Sequence, residues 1–336
     1  MTAFMVIVDA RMAVVTDLGR ARGPQFGLPV NGALDQSSAR IANILTGNDE
    51  NAPLIEVTAF DFACTADTDI LIAVTGAEMT LSVDGVVRSM WEPVPVSAGQ
   101  TVRLTNMTAG VRSYLAVRGA FDVPRLLGSC APDTVIGFGT MLTAGMHVAL
   151  ARPTASPVNP FFGVSLFHLG VPRPSFGGTA VIEVTDGPDI TEFAGTADRL
   201  FENTFRVTPK SNHIGLRMTG ELPVRLHTAE MISRGVPVGA IEVPPGDELL
   251  VLHRGRGVTA GYPVLGVVTS SSLDTLGQIR PGQSVAFRKV DVDQASRTTR
   301  SQRAILDTLR ERVTTVFSCL AADDPAAIRL ERSPPC

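Results

Sequence analysis

Short apolar runs, broken by glycine- and proline-rich turns, make up most of this chain. Residues 79–83 alternate between apolar and polar side chains, which is typical of a strand with one buried face. Asp84 and Gly85 follow, and this pair favours a two-residue turn into a second strand. A continuous apolar run such as 70–74 is typical of a fully buried strand. The pattern therefore predicts a mainly β protein.

Helical spacing of apolar residues is confined to a few segments. An apolar stripe at 41–45 follows Asp35, a residue type that caps helix N-termini, and Gly47 supplies a C-terminal stop. Residues 190–201 also have a helical pattern. Residues 304–320 carry apolar side chains at helical spacing and predict a C-terminal helix.

The length and the distribution of turn residues predict two domains. A chain of 336 residues is long enough for about two hydrophobic cores. Prolines and glycines cluster without periodicity in 152–178, which we interpret as the connection between the domains. This divides the chain into an N-terminal β-rich domain (1–151), a C-terminal β domain (179–290) and a helical tail (291–336).

Composition excludes several classes of function. Apolar residues make up 44% of the sequence and the net charge is -4, so the chain is neither of the disordered type nor basic enough to attract nucleic acid. No apolar run reaches the length that crosses a membrane, and the N-terminal segment lacks the layout of a signal peptide. We therefore expect a cytoplasmic protein without a nucleic-acid or membrane partner.

The lysines, cysteines and histidines bear on cofactors. Lys210 and Lys289 are the lysines, and neither lies in a phosphate-binding P-loop or between methionines as in a biotin-attachment loop. The four cysteines contain no CxxC pair, and the five histidines do not pair at metal-ligand spacings. We therefore expect no metal and no covalently bound cofactor, so that biotin would come only on a partner.

The segment 14–56 concentrates glycines, prolines and small polar side chains. Arg20 could bind a carboxylate or a phosphate through its planar guanidinium, with Asp17 beside it. The same two residues could instead fix a loop, since glycines and paired charges are common structural devices. Asn31 and Asn43 leave the same choice between binding a ligand and satisfying buried turns.

Two later segments add candidates. Arg112 and Tyr114 lie two residues apart and therefore share a strand face, where Arg112 could face a groove or form a salt bridge at a barrel rim. Turns of proline and glycine in the segment 233–263 would let a ligand approach backbone amides. Four polar residues of that segment could gather around one cleft: Ser233, Glu242, Thr259 and Tyr262.

The ordered series of these residues resembles the family that comprises the 5-oxoprolinase C subunit, KipA-type proteins and allophanate hydrolase subunit 2. The same module is half of the carboxyltransferase region of biotin-dependent urea carboxylase. The resemblance implies two cyclophilin-like β-barrel units packed together, and it adds Asp35 and Gln278 to the candidate ligand-binding residues. It extends to about Phe287 and rests on these matches: Asp17-Leu18-Gly19-Arg20, Gly32-Ala33, Asp35, Ala42-Asn43, Gly47-Asn48, Glu56, Gly239-Ala240-Ile241, Thr259, Gly261-Tyr262-Pro263 and Gln278.

The resemblance implies a component of an ATP-dependent complex that opens the 5-oxoproline lactam to glutamate. Its partners would be a KipI-like B subunit together with an A subunit, its substrate a small amide or lactam, and ATP would be used by the complex. Activity would then appear only in the complex. Two alternatives stay open: a carboxyltransferase component that moves a carboxyl group from a partner's biotin to urea, and a KipA-like regulatory protein that antagonises a kinase inhibitor.

Several positions depart from the pattern of this family. His213 stands where the family usually has arginine, and Glu242 stands where it usually has glutamine. Residues 255–257, Gly-Arg-Gly, replace an Asp-Arg-Gln sequence. The surrounding glycines and prolines are kept, so we expect the scaffold with altered chemistry, and Glu242, Thr259 and Tyr262 are the catalytic candidates.

Overall fold

The computed structural model describes residues 3–152, 154, 156–157, 168–226 and 230–322, with 321 and 322 described by their backbone alone. Part of the predicted connection, the end of the predicted helical tail, His227 and Cys336 lie outside these residues. The predicted fold class is confirmed: the chain is mainly β, with few helices and one long C-terminal helix.

Ten strands form the first sheet: β1 (Phe4–Ala10), β2 (Ala13–Thr16), β3 (Leu54–Thr58), β4 (Phe62–Ala66), β5 (Ile70–Val83), β6 (Val86–Arg88), β7 (Pro93–Val96), β8 (Thr101–Val117), β9 (Thr140–Met141) and β10 (His147–Ala149). Hydrogen bonds connect them in the order β10-β1-β4-β8-β3-β2-β9, and β5 pairs with β6, β7 and β8. The sheet curves into a half-barrel. The predicted turn at Asp84 and Gly85 joins β5 to β6, with both residues at positive φ.

Helix α1 (Gln36–Leu45) packs against β5 and β8 of this sheet. Asp35 caps it as predicted: its carboxylate accepts hydrogen bonds from Ser38 N (2.9 Å) and Ser38 Oγ (2.6 Å). Ile41, Ile44 and Leu45 are buried in the core of the first sheet. Burial of this stripe, rather than intrinsic propensity alone, holds the short helix in place.

Seven strands close the second unit into a barrel, in the order β11-β18-β15-β16-β13-β12-β19. Two further strands, β14 and β17, form a separate ribbon. The bounds are β11 (Ala180–Asp186), β12 (Thr204–Val207), β13 (Gly215–Thr219), β14 (Arg234–Gly235), β15 (Ala240–Glu242), β16 (Leu249–Leu252), β17 (Thr259–Ala260), β18 (Val264–Val268) and β19 (Ser284–Lys289). The barrel core contains Ile182, Phe205, Met218, Ile241, Leu265 and Phe287.

The segment predicted as one helix at 190–201 is two short helices. A 3-10 helix spans Ile190–Phe193, and α2 spans Arg199–Glu202. Gly195 lies between them with φ of 83°, a conformation that ends right-handed helical geometry. Helix α3 (Leu273–Leu276) precedes the last barrel strand and lies close to α1.

The C-terminal helix α4 (Val292–Ala322) begins before the predicted start at residue 304. It returns to the first sheet, where Leu306, Leu309 and Val313 join the buried core. None of the helices in the described part of the chain combines the length and apolar character that spanning a membrane requires.

Candidate functional site

Gln278 connects the barrel to the first sheet through four buried hydrogen bonds. Its Nε2 donates to Asp35 Oδ2 (2.7 Å) and to the carbonyl of Arg112 (2.8 Å). Its Oε1 accepts from the amides of Val111 (2.9 Å) and Arg112 (3.0 Å). Both ends of this amide are therefore used within the protein, so Gln278 positions the two units and is not free to bind a ligand.

Asp35 and Tyr114 belong to the same buried seam. The Tyr114 hydroxyl accepts a hydrogen bond from the amide of Asp35 (3.0 Å). Burial, followed by the nearby charge of Glu56, raises the pKa of Tyr114 well above its ordinary value. Burial, followed by the charge of Asp274, raises the pKa of Asp35 to about 7. Asp274 in turn accepts from Ser37 Oγ (2.5 Å), so the Asp274 carboxylate joins α3 to α1.

A cleft of about 140 Å³ opens between the edge of the first sheet and two loops of the barrel. A cavity of about this volume can hold a benzene-sized molecule. Its lining residues come from β2, β3, the loops at 31–34 and 132–134, and the barrel: Val14, Thr16, Asn31, Gly32, Leu34, Glu56, Pro132, Thr134, Met141, His213 and Gly255. The site is thus built from both units.

Glu56 provides the charged group of this cleft. Its Oε1 lies 3.7 Å from Arg112 Nε. Its Oε2 is buried, and no hydrogen-bond donor within the described ranges reaches it. A buried carboxylate oxygen without a donor is costly, and a ligand that donates a hydrogen bond in the cleft would satisfy it.

Asn31 and His213 also line this cleft. Asn31 Nδ2 donates to Asp133 Oδ2 (3.0 Å), which leaves its Oδ1 without a donor in the described part of the chain. A Cβ on Gly255 would lie 2.6 Å from His213 Cδ2 and 3.2 Å from Asn31 Oδ1, so only glycine fits between them. Burial, followed by the charge of Arg112, lowers the pKa of His213. The imidazole is therefore neutral at pH 7 and can accept a proton.

Asp17 and Arg20 fix a loop that contributes residues to the lining of the cleft. Asp17 accepts from Ser129 Oγ (2.6 Å) and Cys130 N (2.8 Å). Arg20 is fully buried, donates to the carbonyl of Ala131, and lies 3.5 Å from Asp133. These bonds hold the segment that carries the cleft residues Pro132 and Thr134, so the structure places the pair in a loop-fixing position.

Asn43 lies in α1 with its side chain turned toward the following loop. Its Nδ2 donates to the carbonyls of Glu50 (3.2 Å) and Ala52 (2.9 Å). Its Oδ1 accepts from Asn48 (3.3 Å). The structure places Asn43 away from the lining of the cleft and gives it the role of satisfying a buried turn.

The candidates of the segment 233–263 do not share one surface. Ser233 and Tyr262 line a second, larger cleft of about 890 Å³. Thr259 is exposed on the ribbon, where it pairs with Gly235. The lining of the second cleft also includes Leu222, Arg225, Met231, Val243, Pro244, Asp247 and Pro263.

Glu242 is buried on β15 beside this second cleft. Its Oε1 has no hydrogen-bond donor among the described residues, and burial raises its pKa to about 7. The charge of Arg234 opposes this shift of the Glu242 pKa, but its guanidinium is bonded to Asp189, which also accepts from Val264 N (2.7 Å). Burial therefore favours the protonated form of the Glu242 carboxyl group.

The sequence does not assign Glu56, His213 or Asp133 to the site. A signal for Glu56 is present, since it is a lone acid within the apolar strand β3. His213 stands out in the sequence only as a departure from arginine. Asp133 belongs to a loop without a recognisable pattern, and its contact with Asn31 spans 102 residues.

Comparisons with known proteins extend over nearly the whole chain. The profile described as carboxyltransferase domain, subdomain A and B, matches residues 26–289. The 5-oxoprolinase C subunit of Escherichia coli (strain K12) is 32% identical over 311 residues, covering 91% of this chain and 98% of that protein. Urea amidolyase of Lachancea kluyveri is 28% identical, covering 98% of this chain and 19% of that protein. The crystal structure of the K. lactis urea amidolyase superposes with a TM-score of 0.79 at 26% identity, covering 91% of this chain and 20% of that chain.

The chain therefore spans about a fifth of the urea amidolyases but nearly all of the 5-oxoprolinase C subunit. It is homologous to the carboxyltransferase region of the former and to the full length of the latter. Since the profile covers most of the sequence and a relative exceeds 30% identity over almost its full length, the chain belongs to the carboxyltransferase domain family, subdomains A and B.

Proposed function

We propose that this protein is the C subunit of an ATP-dependent 5-oxoprolinase, or of a closely related amide-processing complex. The observation that carries the proposal is the match to the 5-oxoprolinase C subunit over 98% of that protein. A relative named as a subunit implies partner subunits, and we propose a B subunit together with an A subunit for that role.

The cleft between the two units supports a small lactam or amide as the substrate. Glu56 Oε2 and Asn31 Oδ1 are acceptors without donors in the described residues, so they match a ligand that presents N–H groups. The cleft volume of about 140 Å³ suits a five-membered ring better than an extended peptide. Neither acceptor would discriminate among lactams, ureas and amides, because all present N–H donors.

In the proposed reaction the chain binds, orients and moves a proton. Glu56 accepts the hydrogen bond from the substrate nitrogen, and Arg112, at 3.7 Å, balances the charge of that carboxylate. We assign neutral His213 the role of taking a proton from the attacking water and returning it to the ring nitrogen as the C–N bond breaks. Activation of the carbonyl by phosphoryl transfer from ATP is assigned to the partner subunits.

The test uses the assembled complex. We expect the purified chain alone to show no turnover, whereas co-expression with the A and B subunits should give ATP hydrolysis that depends on 5-oxoproline. Glu56→Gln should lower kcat/KM at least tenfold in the assembly, since a hydrogen bond to a charged group contributes about 1.5–3 kcal/mol. Glu311→Gln, an exposed acid on α4, is the matched control and should leave kcat/KM unchanged. Turnover by the isolated chain, or an assembly without 5-oxoproline-dependent ATP hydrolysis, would reject the proposal.

A second candidate function is carboxyl transfer, favoured by the similarity to the urea amidolyases. Biotin would then arrive on a partner, because Lys210 is paired with Glu248 (3.0 Å) and Lys289 with Asp186 (2.7 Å), and neither lysine stands in a biotin-attachment loop. The same cleft would hold urea through its N–H groups. Carboxylation of urea in the presence of a biotinylated carrier protein, without ATP-dependent lactam opening, would favour this candidate over the first.

A further inference from the structure

The loop after β16, residues 253–256, places two arginines at the boundary between the two units. Its backbone is fixed to both units: the amide of Asn31 donates to the carbonyl of Arg254 (3.0 Å), and the amide of Gly255 donates to the carbonyl of His213 (3.2 Å). Gly255 also lines the cleft between the units. The loop is therefore part of the cleft wall, and Arg254 is next in the chain to a residue of the lining.

The guanidinium of Arg254 is the unusual feature of this loop. The residue is half-buried and its Nε is fully buried, yet the side chain forms neither a hydrogen bond nor an ion pair with any described residue. By contrast, Arg20 and Arg112 both donate to carbonyl groups. Burial lowers the pKa of Arg254, because removal from water disfavours the charged form. A guanidinium carries five N–H donors, so this group can bind an acceptor that the protein does not supply.

Asp274 and Tyr114 show where this guanidinium lies. Both oppose the effect of burial on the pKa of Arg254, so both are close to it. Asp274 already accepts hydrogen bonds from Ser37 N (3.3 Å) and Ser37 Oγ (2.5 Å), which commits its carboxylate to α1. Tyr114 pairs across the sheet with Glu56, so the side chains of this pair share one face. The Arg254 guanidinium therefore lies near the seam, on the same side of the sheet as the cleft residue Glu56.

Arg256 adds a second positive charge. Its Nε and Nη2 donate to the carbonyl of Val236 (2.9 and 2.6 Å), whereas its Nη1 is buried without an acceptor in the described part of the chain. Burial, followed by the charge of Arg254, lowers the pKa of Arg256, so the two guanidinium groups are close together. Like charges repel, and an anion bound beside them would stabilise both.

We propose that Arg254, with Arg256 beside it, binds the carboxylate of the substrate, and that this protein therefore selects lactams that carry an acidic group. The inference rests on the proposed function for the identity of the lactam. In 5-oxoproline the carboxylate is attached to the ring carbon next to the nitrogen, so a molecule whose N–H donates to Glu56 carries its negative group close by. The planar guanidinium matches the two oxygens of a carboxylate. Glu56 and Asn31 do not distinguish lactams from urea, and Arg254 supplies that distinction.

Carboxylate and phosphate groups share this chemistry, since both present negatively charged oxygens to a guanidinium. The surroundings of Arg254 favour a carboxylate. Glu56 and Asp274 are acids on the same side of the sheet, and they repel a phosphate dianion more strongly than a singly charged carboxylate. We therefore assign the subsite to a carboxylate.

The experiment compares 5-oxoproline with its carboxamide, which keeps the lactam and the size of the molecule but has no charge. Calorimetry on the purified chain should give a Kd at least tenfold lower for 5-oxoproline than for the carboxamide, because hydrogen bonds between charged groups are stronger than those to a neutral amide. This comparison uses the wild type and does not depend on the folding of a variant. Equal affinity for the two compounds, or no binding of 5-oxoproline, would overturn the inference.

Substitution of Arg254 assigns the selectivity to this residue. Arg254→Gln should weaken the binding of 5-oxoproline at least tenfold and leave the Kd of the carboxamide unchanged. Arg254→Lys keeps the charge without the planar group and should retain part of the selectivity. Arg300→Gln, which changes an exposed arginine of α4, is the matched control and should bind both compounds as the wild type does. All three variants should keep the wild-type far-ultraviolet spectrum.

Two results with these variants would reject the carboxylate subsite. One is tenfold selectivity for 5-oxoproline that persists in Arg254→Gln. The other is binding of inorganic phosphate that depends on Arg254 while 5-oxoproline binds equally to the wild type and Arg254→Gln, which would show a phosphate site instead.

The assembled complex separates this inference from the proposed function. With the A and B subunits present, Arg254→Gln should raise the KM for 5-oxoproline at least tenfold, with a smaller change in kcat. Binding of 5-oxoproline through Arg254 in an assembly that hydrolyses no ATP in its presence would reject the proposed function alone. An unchanged KM in an active assembly would reject the carboxylate subsite alone.

Discussion

Buried acids in this protein differ in whether the fold supplies their hydrogen-bond donors. Asp17 accepts from a hydroxyl and two backbone amides, so its charge is fully compensated. Glu56 and Glu242 each keep a buried oxygen without a donor in the described residues. Glu56 borders a cleft that a ligand can enter, whereas Glu242 can lose its uncompensated negative charge by taking up a proton. A buried oxygen without a donor thus indicates ligand binding at Glu56 and uptake of a proton at Glu242.

Glu242 should make stability depend on pH. Its pKa is raised to about 7 in the folded protein from 4.5, so the folded state binds more protons between these values and the free energy of unfolding falls as pH rises. We expect Glu242→Gln to reduce this slope, with the contribution of Asp35 remaining, and to stabilise the protein at pH 8 by roughly 2–3 kcal/mol. Urea unfolding at pH 5 and pH 8 measures the effect, and Glu311→Gln is the exposed control. A parallel pH slope in both proteins would contradict the assignment.

Arg20 should be essential to stability through its loop-fixing contacts. Arg20→Ala leaves Asp133 without its cation and opens space in a buried region, which we expect to cost about 3–5 kcal/mol of unfolding free energy. Arg20→Lys should restore little, because a lysine cannot reproduce the planar contacts to Ala131 and Phe138. If Arg20→Ala melts like the wild type but loses affinity for an anionic ligand, the ligand-binding interpretation holds instead.

Among the elements, α4 has the widest structural effect. It is roughly 46 Å long at 1.5 Å per residue, and it runs from the end of the barrel back onto the first sheet. Glu50, in the loop after α1, meets Arg40 (2.6 Å), Arg303 (2.8 Å) and Arg310. Two of these three arginines belong to α4, so ion pairs and the apolar stripe fasten the helix at the same place.

The stability contributed by α4 can be measured with a pair of substitutions. Leu309→Ala should cost about 2–5 kcal/mol, since the side chain is 3% exposed within the first core. Ile305→Ala, four residues earlier and 48% exposed, should cost less than about 1 kcal/mol. Denaturant unfolding at pH 7 compares the two variants. Similar costs for both would mean that the helix is not fastened by its buried stripe.

Elements were predictable where the signal is local. The cap at Asp35, the turn at Asp84 and the strand at 70–74 depend on a few neighbouring residues. The apolar stripe predicts α4 only from residue 304, because the residues after Val292 are mostly polar. The boundary of the predicted helical tail, at 291, lies one residue before the start of α4. The seam at Gln278 could not be derived from spacing, because its contact with Val111 joins residues 167 positions apart. The cleft at Glu56 could not be derived either, because its lining combines Glu56 of the first sheet with His213 and Gly255 of the barrel.

At the scale of the whole molecule, the cleft exists only because the sheet and the barrel are held in one relative position. Gln278 is the central contact of that seam, and Arg112, Asp35 and Asp274 surround it. Gly277 packs so closely that a Cβ would lie 2.7 Å from the carbonyl of Leu34. The cleft therefore depends on residues that are not part of its lining.

Gln278→Ala should loosen this seam without disrupting either core. The amides of Val111 and Arg112 would lose their acceptor, and each buried group left without a partner costs about 1–3 kcal/mol. We expect faster limited proteolysis between the two units and a higher KM of the assembled enzyme, with the far-ultraviolet spectrum unchanged. Gln302→Ala, within α4, provides a comparison in which a single hydrogen bond to the carbonyl of Ser271 is lost. Identical cleavage rates for the two variants would show that Gln278 is dispensable.

The return of α4 to the first sheet also sets the order in which the newly made chain can fold. Leu306, Leu309 and Val313 complete a core most of whose other members are made roughly 150 or more residues earlier. During synthesis the half-barrel therefore leaves the ribosome long before α4. The barrel can fold while the core of the first sheet is still incomplete. The N-terminal unit is synthesised first but completes its folding last, which reverses the usual order in which domains fold from the N-terminus.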